Sequence, residues 1–108
     1  MSDTRKTGSD MSDISEKKIE QQLVRAVKTA GGICPKLVSP GFDGMPDRMV
    51  LLPGCRMAFV EVKAPGKSPR PLQTHRHRQL RTLGFPVFVL DDPEKIQWIL
   101  EEVAAWRT

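Results

Sequence analysis

The chain has 108 residues, 39% of them hydrophobic and 28% charged, with a formal net charge of +4. That length allows one domain with a core of ordinary size, and the composition is that of a soluble globular protein, not a fibrous or low-complexity one. No apolar run approaches the roughly 20 residues of a membrane span, and the polar N-terminus has no apolar segment of a secretory signal.

The two cysteines, Cys34 and Cys55, sit in different segments, which favours reduced thiols inside a cell over a disulfide framework. Two Cys and two His at unsuitable spacings argue against a structural zinc site. No internal repeat and no phosphate-binding P-loop occurs, so nucleoside triphosphate hydrolysis has no support. A modestly basic charge permits a polyanionic partner without identifying one.

Residues 1–13 are small, polar and of mixed charge, and too poor in apolar side chains to offset the entropy of ordering. They are expected to form a disordered tail. Ser15 is placed to cap a helix in which Ile19, Leu23, Ala26, Val27 and Ala30 make one apolar stripe. Gly31-Gly32 ends it. Glu20 lies at the margin of that stripe and Glu16 one turn earlier. Residues 33–38 read as a short strand near a sheet edge, because Pro35 restricts its pairing. A turn-rich loop, 39–44, then leads to Pro46-Asp47, with Gly44 expected where the backbone comes close to another element.

The centre of the chain is GMPDRMVLLPGCRMAFVEVK, residues 44–63. Two short apolar runs around Pro53-Gly54-Cys55 predict a β-hairpin. With the turn centred near Gly54, Met49 opposes Phe59, Leu51 opposes Met57, and Asp47 opposes Glu61. Alternation then puts Asp47, Glu61 and Lys63 on one face and Arg48 on the other. Opposed Cβ atoms lie roughly 5 Å apart, so two carboxylates there repel and one should have a raised pKa. A divalent cation reverses the sign of that interaction, and hard oxygen donors favour Mg²⁺ or Mn²⁺. Lys63 is placed to orient a water or to offset developing negative charge.

A proline-rich loop follows, then a helix from Pro71 to about Leu83, ended by Gly84. Leu72, Leu80 and Leu83 are its expected buried stripe, with Arg76 inside that sector and Gln73 beside it. Arg76 either snorkels to solvent or faces a cleft where phosphate would satisfy it. His75 and His77 read as exposed histidines on a basic helix in preference to general bases. The segment 67–81 contains no acidic residue, and Lys67, Arg70, Arg76, His77, Arg78 and Arg81 form the expected DNA-binding set. Residues 85–90 form a continuous apolar run, a buried strand. Asp92 and Pro93 begin a last helix that buries Ile96, Ile99, Leu100 and Val103, leaving Trp98 on the opposite face.

Pro46-Asp47 and Glu61-Val62-Lys63 resemble the two halves of the PD-(D/E)XK nuclease motif. With their flanks Gly44-Met45, Arg48, Phe59-Val60 and Ala64-Pro65-Gly66, then Ser68-Pro69 and Gln73, they look like the VRR-NUC branch in its stand-alone, phage-like form. The resemblance runs from about Ile14 to the C-terminus. It implies an α/β, restriction-endonuclease-like αβββαβ core, a mixed sheet flanked by helices. It also implies a metal-dependent DNA endonuclease selective for branched or Holliday-junction substrates, acting as a homodimer in a bacterial or phage-infected cytoplasm. In that reading Asp47, Glu61, the Val62 carbonyl and Glu20 hold Mg²⁺ or Mn²⁺, Lys63 assists the attacking water, and Gln73 belongs to the active-site set. Glu16 is the substitute for Glu20. Two other classes stand beside it: a DNA-junction-binding module without catalysis, and a structural subunit of a repair assembly.

Overall fold

A computed structural model describes residues 15–106. The expected tail, 1–13, lies outside the described residues. Helix α1 spans Glu16–Thr29, and Ser15 Oγ accepts from the Lys18 amide at 3.1 Å, as the cap reading requires. Ile19, Leu23 and Val27, one helical turn apart, are fully buried. The helix ends in a Schellman arrangement: Gly31, at φ +90°, donates to Lys28 O, and Gly32 donates to Val27 O.

Strands β1 (Arg48–Leu52) and β2 (Arg56–Val62) form the hairpin, with Met49 opposite Phe59 and Leu51 opposite Met57. That is the register expected from the turn. After helix α2 (Pro71–Thr82), strand β3 (Val87–Leu90) adds parallel to β2, so the sheet order is β1-β2-β3. Helix α3 (Lys95–Ala105) closes the domain. The α/β order is the expected one with a single reduction. The predicted strand over 33–38 makes only two isolated bridges, Ile33–Leu51 and Lys36–Arg48, along the outer edge of β1. Pro35 between them has no N–H to donate, though its carbonyl accepts from Met49 N.

The sheet has two unlike faces. Even-numbered side chains of the hairpin, Val50, Ala58, Val60 and Val62, pack with Leu23, Ile99 and Val103 in one apolar core beneath α1 and α3. Both cysteines are free thiols, and Cys34 belongs to this core. The other face has a smaller cluster of Phe59, Leu80 and Val87.

Here the structure corrects the helix reading. The buried residues of α2 are Gln73, His77 and Leu80, whereas Leu72 and Leu83 are 47% and 72% exposed. The helix turns its polar residues inward because a buried carboxylate, Glu61, waits on the sheet beneath them. Phe85 also lies outside its expected strand, half exposed and edge-on to Phe59 at 5.9 Å. Asp92 is not the expected N-cap: its Oδ1 accepts from the Glu94 amide within a turn that also holds Pro93, and regular helix begins only at Lys95, with Glu94 at the cap position and no side-chain cap. Trp98 is half exposed, as expected, and meets Phe88 edge-on.

Candidate active site

Three segments converge at the open end of the hairpin. Asp47, just before β1, accepts from the Val62 amide through Oδ2 at 2.9 Å, which ties its carboxylate to the end of β2. Its carbonyl accepts from Leu37 N at 2.8 Å. The preceding loop is pressed onto α2. At Gly44, φ +90°, a Cβ would lie 2.9 Å from Leu72 O and 3.3 Å from Arg76 Cβ, so only glycine fits. Arg76 fastens the same loop by donating to Asp43 O at 2.9 Å and lying 3.7 Å over the Phe42 ring.

Glu61 is 1% exposed. Its Oε2 accepts from Gln73 Nε2 at 3.0 Å and lies 3.2 Å from Lys63 Nζ. Gln73 is itself oriented, because its Oε1 accepts from the Arg70 amide at 2.8 Å. His77 Nε2 stands 3.7 Å from Glu61 Oε1, beyond hydrogen-bond range but within reach of its charge. Burial pushes the Glu61 carboxyl up; His77 and Lys63 together outweigh it and hold the group below its ordinary value. Asp47 goes the other way. Burial raises it to about 6 against the hydrogen bond from Val62, with Glu61, Glu16 and Glu20 adding repulsion.

Two observations make this a fitting place for a divalent cation. Glu61 Oε1 is buried with no hydrogen-bond partner, and Asp47 is a crowded carboxyl whose ionised form a cation would stabilise. Among the described residues no group of three or more His, Cys, Asp or Glu could hold a metal alone. Main-chain and water oxygens would have to complete the coordination, as hard cations tolerate.

The other expected site residues are distributed unevenly. Glu20 is engaged away from the pair: its Oε2 accepts from Arg48 Nε at 2.7 Å and lies 3.5 Å from Lys36 Nζ. Arg48, on the opposite face from Asp47 as expected, also donates to Cys34 O. Glu16 is exposed, makes no ion pair among the described residues, and repels Asp47 more than Glu20 does. Lys67, Arg70 and Arg78 are exposed, as a phosphate-facing set requires, and His75 is exposed too.

Three members of the expected DNA-binding set are not free. His77 is 2% exposed, so it faces Glu61 and not solvent. Arg81 donates to Val87 O and pins the start of β3, while Arg76 is spent on the 42–43 loop. The place of His77 was missed because residue type alone favoured exposure. The available signal was its spacing, one helical turn after Gln73.

No protein-family model matches the chain. It is 49% identical over 81 residues to "Putative nuclease p44" of Acyrthosiphon pisum secondary endosymbiont phage 1, spanning 75% of this chain and 87% of that protein. It is also similar to a solved structure described as a VRR_NUC domain. There the TM-score is 0.75 and the identity 30%, over 80% of this chain and 94% of that one.

Proposed function

We propose that this chain, which belongs to the VRR-NUC family, is a metal-dependent nuclease that hydrolyses phosphodiester bonds in DNA. The observation that carries this reading is the convergence of Asp47, Glu61 and Lys63 where β1 and β2 meet, with Glu61 Oε1 buried and unpartnered. Asp47 and Glu61 would hold Mg²⁺ or Mn²⁺ together with the Val62 carbonyl. Glu20 would join directly or through water once released by Arg48, with Glu16 as its substitute. A bound divalent cation supplies Lewis-acid charge at the scissile phosphate and makes a nearby water more acidic.

The remaining work falls to side chains. Lys63 exchanges its contact with Glu61 for the attacking water or the charge that develops on the phosphate. Gln73, locked by the Arg70 amide, keeps the Glu61 carboxylate in one orientation. Lys67, Arg70 and Arg78 offer charge to the DNA backbone without reading sequence. We extend the reading to branched or four-way-junction substrates and to a homodimer that presents two sites to two strands, in the cytoplasm of a bacterial or phage-infected cell.

The test is cleavage of labelled duplex, flap and four-way-junction DNA with Mn²⁺ or Mg²⁺, comparing wild type with Asp47→Ala and Lys63→Ala. Cutting by wild type alone, with junctions cut fastest, is the expected result. Junction binding without cutting under any metal would leave a binding module, and equal cutting by both variants would refute this site.

A further inference from the structure

On the face of the sheet away from the paired carboxylates, α1 and the 33–36 segment border a cavity of about 710 Å³ beside the outer edge of β1. Lys17, Arg25, Lys28, Lys36 and Arg48 line it, against one carboxylate, Glu20. That carboxylate is already shared by Arg48 and Lys36. Lys17, Arg25 and Lys28 have no ion-pair partner among the described residues, and all three are exposed.

The arrangement is regular. Lys17, Gln21, Val24, Arg25 and Lys28 follow helical spacing along one face of α1, a stripe that rises roughly 16 Å. Like charges gathered on one helix face repel. Lys17, Arg25 and Lys28 form no ion pair among the described residues, so the stripe is poised for an external polyanion. The basic surface of α2 is weaker than its sequence suggests, because Arg76 and Arg81 are consumed by main-chain carbonyls.

The cavity also adjoins the active site. Arg48, in its wall, follows Asp47 directly and bridges to Lys36, also in the wall, while the residue after Lys36, Leu37, donates its amide to Asp47 O at 2.8 Å. A backbone leaving the Asp47–Glu61 pair around the N-terminal end of β1 would enter this groove.

We infer that the α1 groove is a second track for the sugar-phosphate backbone, holding by charge the stretch of DNA that leads away from the scissile bond. The inference rests on the nuclease reading and adds to it a footing outside the α2 surface. A rise of roughly 16 Å matches about five phosphates of one strand at 3.4 Å each. With no aromatic side chain in the cavity lining, the contact would be insensitive to sequence.

The experiment measures DNA affinity against salt concentration, with Ca²⁺ in place of the catalytic metal, on the full chain. Wild type is compared with Lys17→Gln/Arg25→Gln/Lys28→Gln and with Lys67→Gln/Arg70→Gln/Arg78→Gln. Glutamine keeps helix propensity near that of the residues replaced, and circular dichroism checks the fold. Losing three phosphate contacts should make the slope of log K against log salt shallower by about 2 to 3 for the α1 triple variant. An unchanged slope and affinity in that variant, beside a shallower slope in the α2-side variant, would overturn the groove while leaving the nuclease reading intact. Absence of DNA binding by wild type at any salt would instead overturn the nuclease reading itself.

Discussion

The two faces of the sheet divide stability from chemistry. Beneath α1 and α3, every fully buried side chain of the core is apolar, from Ile19 and Leu23 to Ile99 and Val103. Beneath α2 the sheet buries Glu61, Gln73 and His77 beside only a small apolar cluster. A fully buried aliphatic side chain contributes about 1.5–3 kcal/mol, whereas a buried carboxylate costs free energy unless its partners offset the lost hydration. One face therefore sets the folding free energy, and the other draws on it to hold an arrangement that would not form alone.

The sharpest way to break this division is a matched pair of leucines. Leu23→Ala empties a fully buried site and should cost about 2–5 kcal/mol, read as a lower urea midpoint or Tm. Leu83→Ala, on a residue 72% exposed, should change stability by no more than about 0.5 kcal/mol. Comparable losses from both would mean that α2 packs on its leucine stripe after all.

Asp47 tests the opposite face with the opposite sign. Its folded-state pKa, about 6, exceeds its unfolded value, so between roughly pH 4 and 6 the folded protein binds more protons than the unfolded one. Stability contributed by the protonated form is thus complete below about pH 4 and lost as pH rises through 6. Measured in EDTA, the loss should be about 1–3 kcal/mol, reduced by the partial exposure of the group. Asp47→Asn keeps an acceptor for the Val62 amide and removes the charge. It should flatten that pH dependence, raise Tm at pH 8 and abolish cleavage. A lower Tm would show that the carboxylate, not its neutral form, stabilises the fold.

The same division explains what could be read from the chain. Where apolar residues face apolar residues, spacing alone located Ile19, Leu23 and Val27, the hairpin register, and the stripe of α3. Around the carboxylates that rule misleads. The buried side of α2 is chosen by Glu61, which lies in another element, so hydrophobic spacing selected Leu72 and Leu83 in place of Gln73 and His77. Basic residues were legible as charges but not as partners. No local signal distinguishes Arg78, left in solvent, from Arg76 and Arg81, whose acceptors are carbonyls of a distant loop and of the next strand. Glu20 posed the same difficulty, because its engagement with Arg48 depends on how α1 meets the edge of β1.

His77 gives the finest test of the polar face. Its Nε2 and Glu61 Oε1 are the buried side-chain polar atoms without a hydrogen-bond partner among the described residues, 3.7 Å apart. Two opposed lone pairs in that dry setting would repel, so Nε2 should carry a proton and present N–H to the carboxylate. A separation this long makes the contribution to stability small, about 1 kcal/mol, and lost in His77→Phe. Its larger consequence is orientation: Lys63 and Gln73 both hold Oε2, leaving Oε1 to His77 alone. Partners of this kind, when removed, typically weaken cation binding by about 10–100-fold. His77→Phe should therefore weaken Mn²⁺ binding measured by calorimetry while lowering Tm by no more than about 4–8 °C, and His77→Gln, which restores an N–H donor, should recover most of the affinity. Equal Mn²⁺ affinity in wild type and His77→Phe would reduce His77 to filler, with Gln73 and Lys63 sufficient to orient Glu61.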